Sequence, residues 1–267
     1  MQATVRVKSA LTIAGSDPSG GAGIQADLKT FSQLQIYGMA VIAAMTAQNS
    51  LGVSAVAEIP PEFVARQLDA VLTDAPPHAT KTGMLLTQEV IEIVALKAAE
   101  YGISNLVVDP VMIATSGATL MNEDAISTFR LKLLPLAFLV TPNIDEARRL
   151  TGSAIATVED MEEAALRIHA MGARNVLIKG GHLQGEAATD VLFDGKQFSH
   201  YQAVRLAIAN AHGTGCVLSA AITAHLAGGK PLVESVQLGK EFVTTAIKRA
   251  IRIGKGTPVC DPLSLGG

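Results

Sequence analysis

The stretch LTIAGSDPSGGAGIQADLKTF, residues 11–31, opens on an apolar run of strand length, crosses a polar glycine-rich loop and enters a segment of helical period. Strand, glycine loop and helix in that order make the first half of a βαβ unit, and the pattern returns downstream. Short, nearly all-apolar runs at residues 10–14, 80–81 with their flanks, 106–108, 138–140 and 176–178 read as strands covered on both faces. Amphipathic helices are predicted at 23–34, 61–72, 87–101, 123–132, 144–150, 158–171, 215–226 and 232–251. This alternation specifies an α/β fold with a mainly parallel, helix-covered sheet.

Two stretches break the rhythm. Residues 38–59 read as two strands, AVIAAMTAQ and VSAVAEI, joined at 50–52 with no helix between them. A hairpin standing off the main sheet accounts for this, and such a piece can cover a site or pair with a second subunit. Residues 190–201, DVLFDGKQFSHY, carry an Asp-Gly turn between two strand-like runs, the mark of an antiparallel edge hairpin. No Pro/Ser-rich linker and no fixed-period repeat interrupts the chain, so residues 1–267 are expected to form one domain.

Composition narrows the function classes. The 267 residues are 49% apolar, with 24 Gly, no Trp and few aromatics, which is usual for helices packed closely on a sheet and unusual for surfaces that stack bases. A net charge of −3 without a basic block argues against nucleic acid as a partner. The longest apolar stretch, 39–47, is far short of the roughly 20 residues that cross a bilayer, and the first residues lack a secretory pattern. No membrane partner and a cytoplasmic location are the expectation. Cys216 and Cys260 form neither a disulfide framework nor a CxxC pair. The six histidines show no zinc spacing, and no GxxxxGK[ST] loop occurs.

Phosphate chemistry must therefore come from elsewhere. HGTGC, residues 212–216, leads directly into the helical run VLSAAITAHLA. Small residues opening a helix expose unpaired amides at the positive end of its dipole, an anion site in which Gly213 and Gly215 admit a phosphoryl group and Thr214 adds a hydroxyl. Cys216 falls in the first turn, where the dipole is expected to lower its pKa and suit it to act as a base. An ordinary glycine loop entering a core helix, with a buried apolar cysteine, is the alternative.

In the opening stretch, Gly21-x-Gly23-x-x-Ala26 matches a dinucleotide fingerprint, so a nicotinamide-dependent oxidoreductase is a competing class. The glycines come late after the strand, and the next strand ends in Gln48 and Asn49 with no acid for a ribose. Asp27, on the first turn of the helix, is expected to face a polar substrate. Asp109 in VVDPVM, and Asn143 with Glu146 in TPNIDE, follow separate strands at the end of the sheet where ligands bind, so Asp109 and Glu146 are candidates to hold Mg²⁺ beside a polyphosphate. A helix N-cap is the alternative for Asn143. Lys179, closing VLIKGG, can reach a phosphate as a point charge.

Taken together, residues 11–31 with AQNS, KTGML, DPVM, TPNIDEA, KGGHL and HGTGC resemble, in order, the hydroxymethylpyrimidine/phosphomethylpyrimidine kinases of thiamine biosynthesis. The resemblance implies a ribokinase-like three-layer α/β/α fold with a small β-hairpin lid, and ATP and Mg²⁺ as cofactors. It implies two successive phosphorylations of 4-amino-5-hydroxymethyl-2-methylpyrimidine, to the monophosphate and then the diphosphate; a homodimer is the expectation from the 38–59 hairpin.

By motif, Gln48, Gly15, Asp27, Met84 and Val111 would line the pyrimidine pocket. Asp109 and Glu146 would serve the metal, and Lys179, Asn143 and Glu146 the nucleotide. Gly213, Thr214 and Gly215 would form the anion hole, with Cys216 as base. Pyridoxal kinases share most of these motifs. Ala114 stands where some of them carry a cysteine, which favours the pyrimidine, whereas Thr115 replaces a lysine common among relatives. The ending GKGTPVC departs from the more glycine-rich family form, and no site residue is carried over from it.

Overall fold

The computed structural model of the protein describes residues 7–113, 120–181, 183, 187–206 and 211–263. Nine strands form one sheet in the order β3-β2-β1-β4-β5-β6-β7-β8-β9 among the described residues. β1 (Ser9–Ser16), β2 (Tyr37–Asn49), β4 (Ala79–Thr82), β5 (Leu106–Val108), β6 (Leu139–Val140) and β7 (Val176–Ile178) are parallel; β3 (Gly52–Glu58) pairs antiparallel with β2 at one edge, and at the other β8 (Ala187–Phe193) pairs antiparallel with β7 and with β9 (Phe198–Val204).

Alternating side chains of the central strands enter two cores. Leu11, Ile13, Val108, Val140 and Ile178 face the layer built by α2 (Pro61–Asp74), α3 (Gln88–Glu100), α4 (Glu123–Thr128), α5 (Ile144–Thr151) and α6 (Val158–Ala170). Ala10, Val107, Leu139 and Leu177 face α1 (Gly23–Gln33), α7 (Thr214–Ala227) and α8 (Leu232–Lys248). The period-2 register thus fills both faces, giving the three-layer α/β/α fold and explaining why the strands carry so little polarity.

The chain passes from β1 through α1 to β2 on one side, then returns through β3 and α2 to β4 on the other. The connections diverge at β1, so its carboxyl end is the crevice where this architecture binds ligands.

Three expectations change. The 38–59 hairpin does not stand off the sheet: residues 37–45 of β2 pair in parallel with β1, and residues 44–49 pair with β3. Its tip, with Gln48, therefore extends past the end of β1 as a continuation of the sheet edge. The helix predicted over 123–132 is α-helical only to Thr128 and then widens into a π turn, Phe129–Leu133. Pro135, in the next turn, has no N–H to continue the ladder. Helix α8 stops at Lys248, because Ile251 turns back to bridge Val259.

Candidate active site

One cavity of about 760 Å³ opens at the carboxyl end of β1. Gly15, Gln48, Met84 and Val111 line one part, and Asp109, Asn143, Glu146, Lys179 and the residues 213–216 line the rest. The predicted ring pocket and phosphate site therefore share a single space.

The start of α7 is held open by its glycines. Gly213 sits at φ +84°, in the left-handed region, and a Cβ there would lie 1.9 Å from Gly21 O. Only glycine fits this crossing of the two loops. A Cβ on Gly215 would come 3.4 Å from Lys179 Nζ and 4.0 Å from Asp109 Oδ2, which sets the charged pair against the helix start. Thr214 donates its hydroxyl to Ala211 O at 2.7 Å, so that hydroxyl closes the turn and offers a ligand only its lone pairs.

The first glycine loop is closed differently. The amides of Gly21 and Ala22 donate to Asp17 Oδ2, and the Ser19 amide and hydroxyl to Asp17 Oδ1. Burial raises the Asp17 carboxyl, but the hydrogen bonds from His212 and Ser19 outweigh it and leave it below the usual range. These amides serve an internal carboxylate, not a pyrophosphate, and this removes the dinucleotide reading.

Asp109 and Lys179 form the charged centre. Lys179 Nζ lies 2.8 Å from Asp109 Oδ1 and 3.9 Å from Glu146 Oε2, while Thr141 and Ser219 donate hydroxyls to the two Asp109 oxygens. Burial opposes the Lys179 charge, yet Asp109 and then Glu146 raise its pKa. Burial pushes Glu146 up to about 7 against the pull of Lys179. Asn143 and Glu146 form a reciprocal capping box on α5, with distances of 2.7 and 2.9 Å, so both cap a helix and line the cavity.

Two expectations for single residues are corrected. Asp27 does not line the cavity: with 0% exposure, it lies behind Lys81, accepting from Lys81 Nζ at 2.9 Å and Thr12 Oγ1 at 2.6 Å. Burial raises its carboxyl, while its charge keeps Lys81 protonated. Cys216 is not a low-pKa thiol. Burial pushes it up to about 11, with Lys81 pulling the other way and Asp27 adding to the rise. The dipole argument held no information on burial, which decides the sign here.

Sequence reasoning missed Lys81, Asp17 and His212. KTGML and HGTGC contained two of them, but their partners are remote in the chain. It also missed Lys240 and Asp190, paired at 2.7 Å on the cavity wall. Ala114, Thr115 and His182 lie outside the described residues.

A three-layer α/β/α fold whose glycine-opened helix start and cavity lie together at the switch point has the architecture of the ribokinase-like small-molecule kinases. The family model described as phosphomethylpyrimidine kinase matches residues 17–261, and the chain belongs to that family.

The chain is 52% identical over 248 residues to a thiamine biosynthesis bifunctional protein of Geobacter sulfurreducens, covering 93% of this chain and 51% of that one, so it spans about half the longer protein. It is 51% identical over 250 residues to a hydroxymethylpyrimidine/phosphomethylpyrimidine kinase of Rhizobium meliloti, covering 92% and 94% of the two chains. Among solved structures, an ADP complex of Bacillus subtilis pyridoxal kinase superposes with a TM-score of 0.90 at 39% identity, covering 97% and 98%.

Proposed function

We propose that this chain transfers the terminal phosphate of ATP to 4-amino-5-hydroxymethyl-2-methylpyrimidine, and then phosphorylates the monophosphate to the diphosphate used in thiamine biosynthesis. The observation that carries this reading is the sharing of one cavity by Gln48 and the start of α7. A hydroxymethyl group on a ring seated against Gln48, Gly15, Met84 and Val111 is then within the same enclosure as the amides of Gly213, Thr214 and Gly215.

Those amides would hold the transferring phosphoryl group, with Lys179 and Asn143 on the nucleotide side. Phosphoryl transfer through a loose transition state asks mainly for alignment and charge neutralisation. Asp109 and Glu146 fit an Mg²⁺ that keeps most of its water, because their oxygens are engaged by Thr141, Lys179, Ser219 and Asn143, and the described residues hold no cluster of three metal-ligating side chains. Bound there, the ion would offset the negative charge of the polyphosphate. Cys216, protonated near neutral pH, orients the hydroxyl, and its small thiolate fraction accepts the proton.

The pyridoxal kinase likeness supports a second reading, in which a pyridine alcohol takes the ring pocket. Incubation with Mg-ATP and each alcohol in parallel decides between them. The expected outcome is ADP release with two pyrimidine product masses appearing in sequence; ADP release with pyridoxal alone reverses the assignment, and none with either ends the kinase reading.

A homodimer and a cytoplasmic setting belong to the same proposal. Exposed Tyr37, Met45 and Leu51 on β2 and its turn support the former. For the latter, no helix among the described residues is long and apolar enough to cross a membrane.

A further inference from the structure

Counting hydrogens fixes the direction of a chain of hydrogen bonds around Gln48. Gln48 Nε2 lies 2.8 Å from His212 Nε2, and Gln48 Oε1 lies 3.2 Å from Thr46 Oγ1. Asp17 Oδ2, 3.3 Å from His212 Nε2, belongs to a carboxylate that can only accept, so Nε2 must bring the hydrogen. The carboxamide then meets His212 with its oxygen and turns its NH₂ group to Thr46, whose one hydroxyl hydrogen goes to Ser16 O at 3.1 Å, the two ends of an amide being alike in shape. The Nε2 hydrogen is thus shared with Asp17, whose side chain is nearly inaccessible to water. In this arrangement each of these donors has an acceptor.

His212 is itself immobilised. Its amide donates to Pro258 O at 2.8 Å and its carbonyl accepts from Cys260 N at 3.0 Å. Its ring packs over Gly21, where a Cβ would lie 2.9 Å from Cδ2. The same C-terminal segment grips the turn that follows Gln48, through Thr257 N to Ser50 O at 3.0 Å and Gly256 N to Ser50 Oγ at 3.1 Å. A Cβ on Gly256 would meet Ser50 O at 1.9 Å, so backbone lies directly on backbone.

We propose that His212 is a positioning residue for ring recognition: it locks the Gln48 carboxamide so that an N–H and an oxygen lone pair face the cavity in fixed order. That order suits a heterocyclic edge with a ring nitrogen beside an exocyclic amino group, one accepting and the other donating. A phenolic hydroxyl both donates and accepts, so a pyridine alcohol gains less from the lock. The inference rests on Gln48 being the ring contact.

The test is steady-state kinetics on the whole chain with hydroxymethylpyrimidine, and with pyridoxal as substrate or competitor, for the wild type, Gln48→Ala, His212→Leu, His212→Gln and the double variant Gln48→Ala/His212→Leu. In His212→Leu, the KM for the pyrimidine is expected to rise about tenfold, the worth of one well-made hydrogen bond, while the pyridoxal constant and the KM for ATP change by less than about threefold. His212→Gln, whose amide N–H reaches the same partners, recovers most of the loss. In the Gln48→Ala background the Leu substitution adds nothing.

Additive losses in the double variant, or a fall in kcat with the pyrimidine KM unchanged, overturn the proposal. A Gln48→Ala variant with an unchanged pyrimidine KM defeats the ring-contact reading instead. If His212→Leu does not fold, the ¹⁵N spectrum of the wild type decides: the Nε2–H tautomer at His212 is expected, and an unprotonated Nε2 overturns the assignment.

Discussion

Adding one methyl group at Gly213 perturbs the proposed phosphate site more directly than removing a side chain. The residue is at φ +84°, which costs an alanine about 1 kcal/mol in the left-handed region. The larger effect is steric. The new Cβ would lie 1.9 Å from Gly21 O, whereas carbon–oxygen contacts settle at about 3.3 Å, so the loops must part by roughly 1.4 Å. The amides of Thr214 and Gly215 move with the loop, and a misplacement of about 1 Å at a reacting centre costs on the order of 10²-fold in rate.

Gly213→Ala is therefore expected to lower kcat for ADP release about 10²-fold, read in a coupled assay at saturating pyrimidine. Gly152→Ala is the control: its φ is +71°, but nothing lies within 4 Å of the added Cβ. That variant should lose about 1 kcal/mol of stability and keep its turnover. Turnover of Gly213→Ala within about threefold of the wild type, with the control behaving as stated, would refute the argument that this crossing sets the anion site.

Cys216→Ala should lower kcat by about 10²-fold while leaving nucleotide binding nearly unchanged. Because the thiol is pushed up to about 11, wild-type turnover at saturating substrates should climb from pH 7 to pH 10, and the variant's residual rate should stay flat; parallel profiles would remove the thiol from the proton path. Glu146 makes a second pH prediction. Its folded-state pKa of about 7 lies above the ordinary 4.5, so between those values the folded protein keeps a proton that the unfolded chain has released. The stability it contributes falls as pH rises across that window. Relative to Glu146→Gln, the wild type should lose melting temperature between pH 5 and pH 8, and a constant difference between the two would contradict the burial argument.

Much of the fold was legible because buried parallel strands are short, apolar and separated by helical periods, as at residues 106–108 and 176–178. Partner choice was less visible. The alternation in β2 fixes which side chains face in, but not that its first half pairs with β1. The glycine-opened start of α7 was legible because the spacing at 213 and 215 has a local backbone cause.

Asp27 and Cys216 were misjudged for a common reason. Sequence gives a residue's place on its helix, whereas burial depends on what packs opposite, here Lys81 and the floor of the sheet. His212 escaped notice as a ring-site residue because its partners, Gln48 and Asp17, are 164 and 195 residues away.

That separation bears on how the protein comes into being during synthesis. Asp17 shapes the first loop early in the chain, but the piece that crosses it arrives only with α7, after most of the sheet has been translated. Loops so far apart meet late, since distant contacts bear the largest closure entropy. A nascent chain that ends before Gly213 also lacks α7 and α8, so one face of its sheet is still without most of its helix layer when the proposed phosphate-facing amides are made.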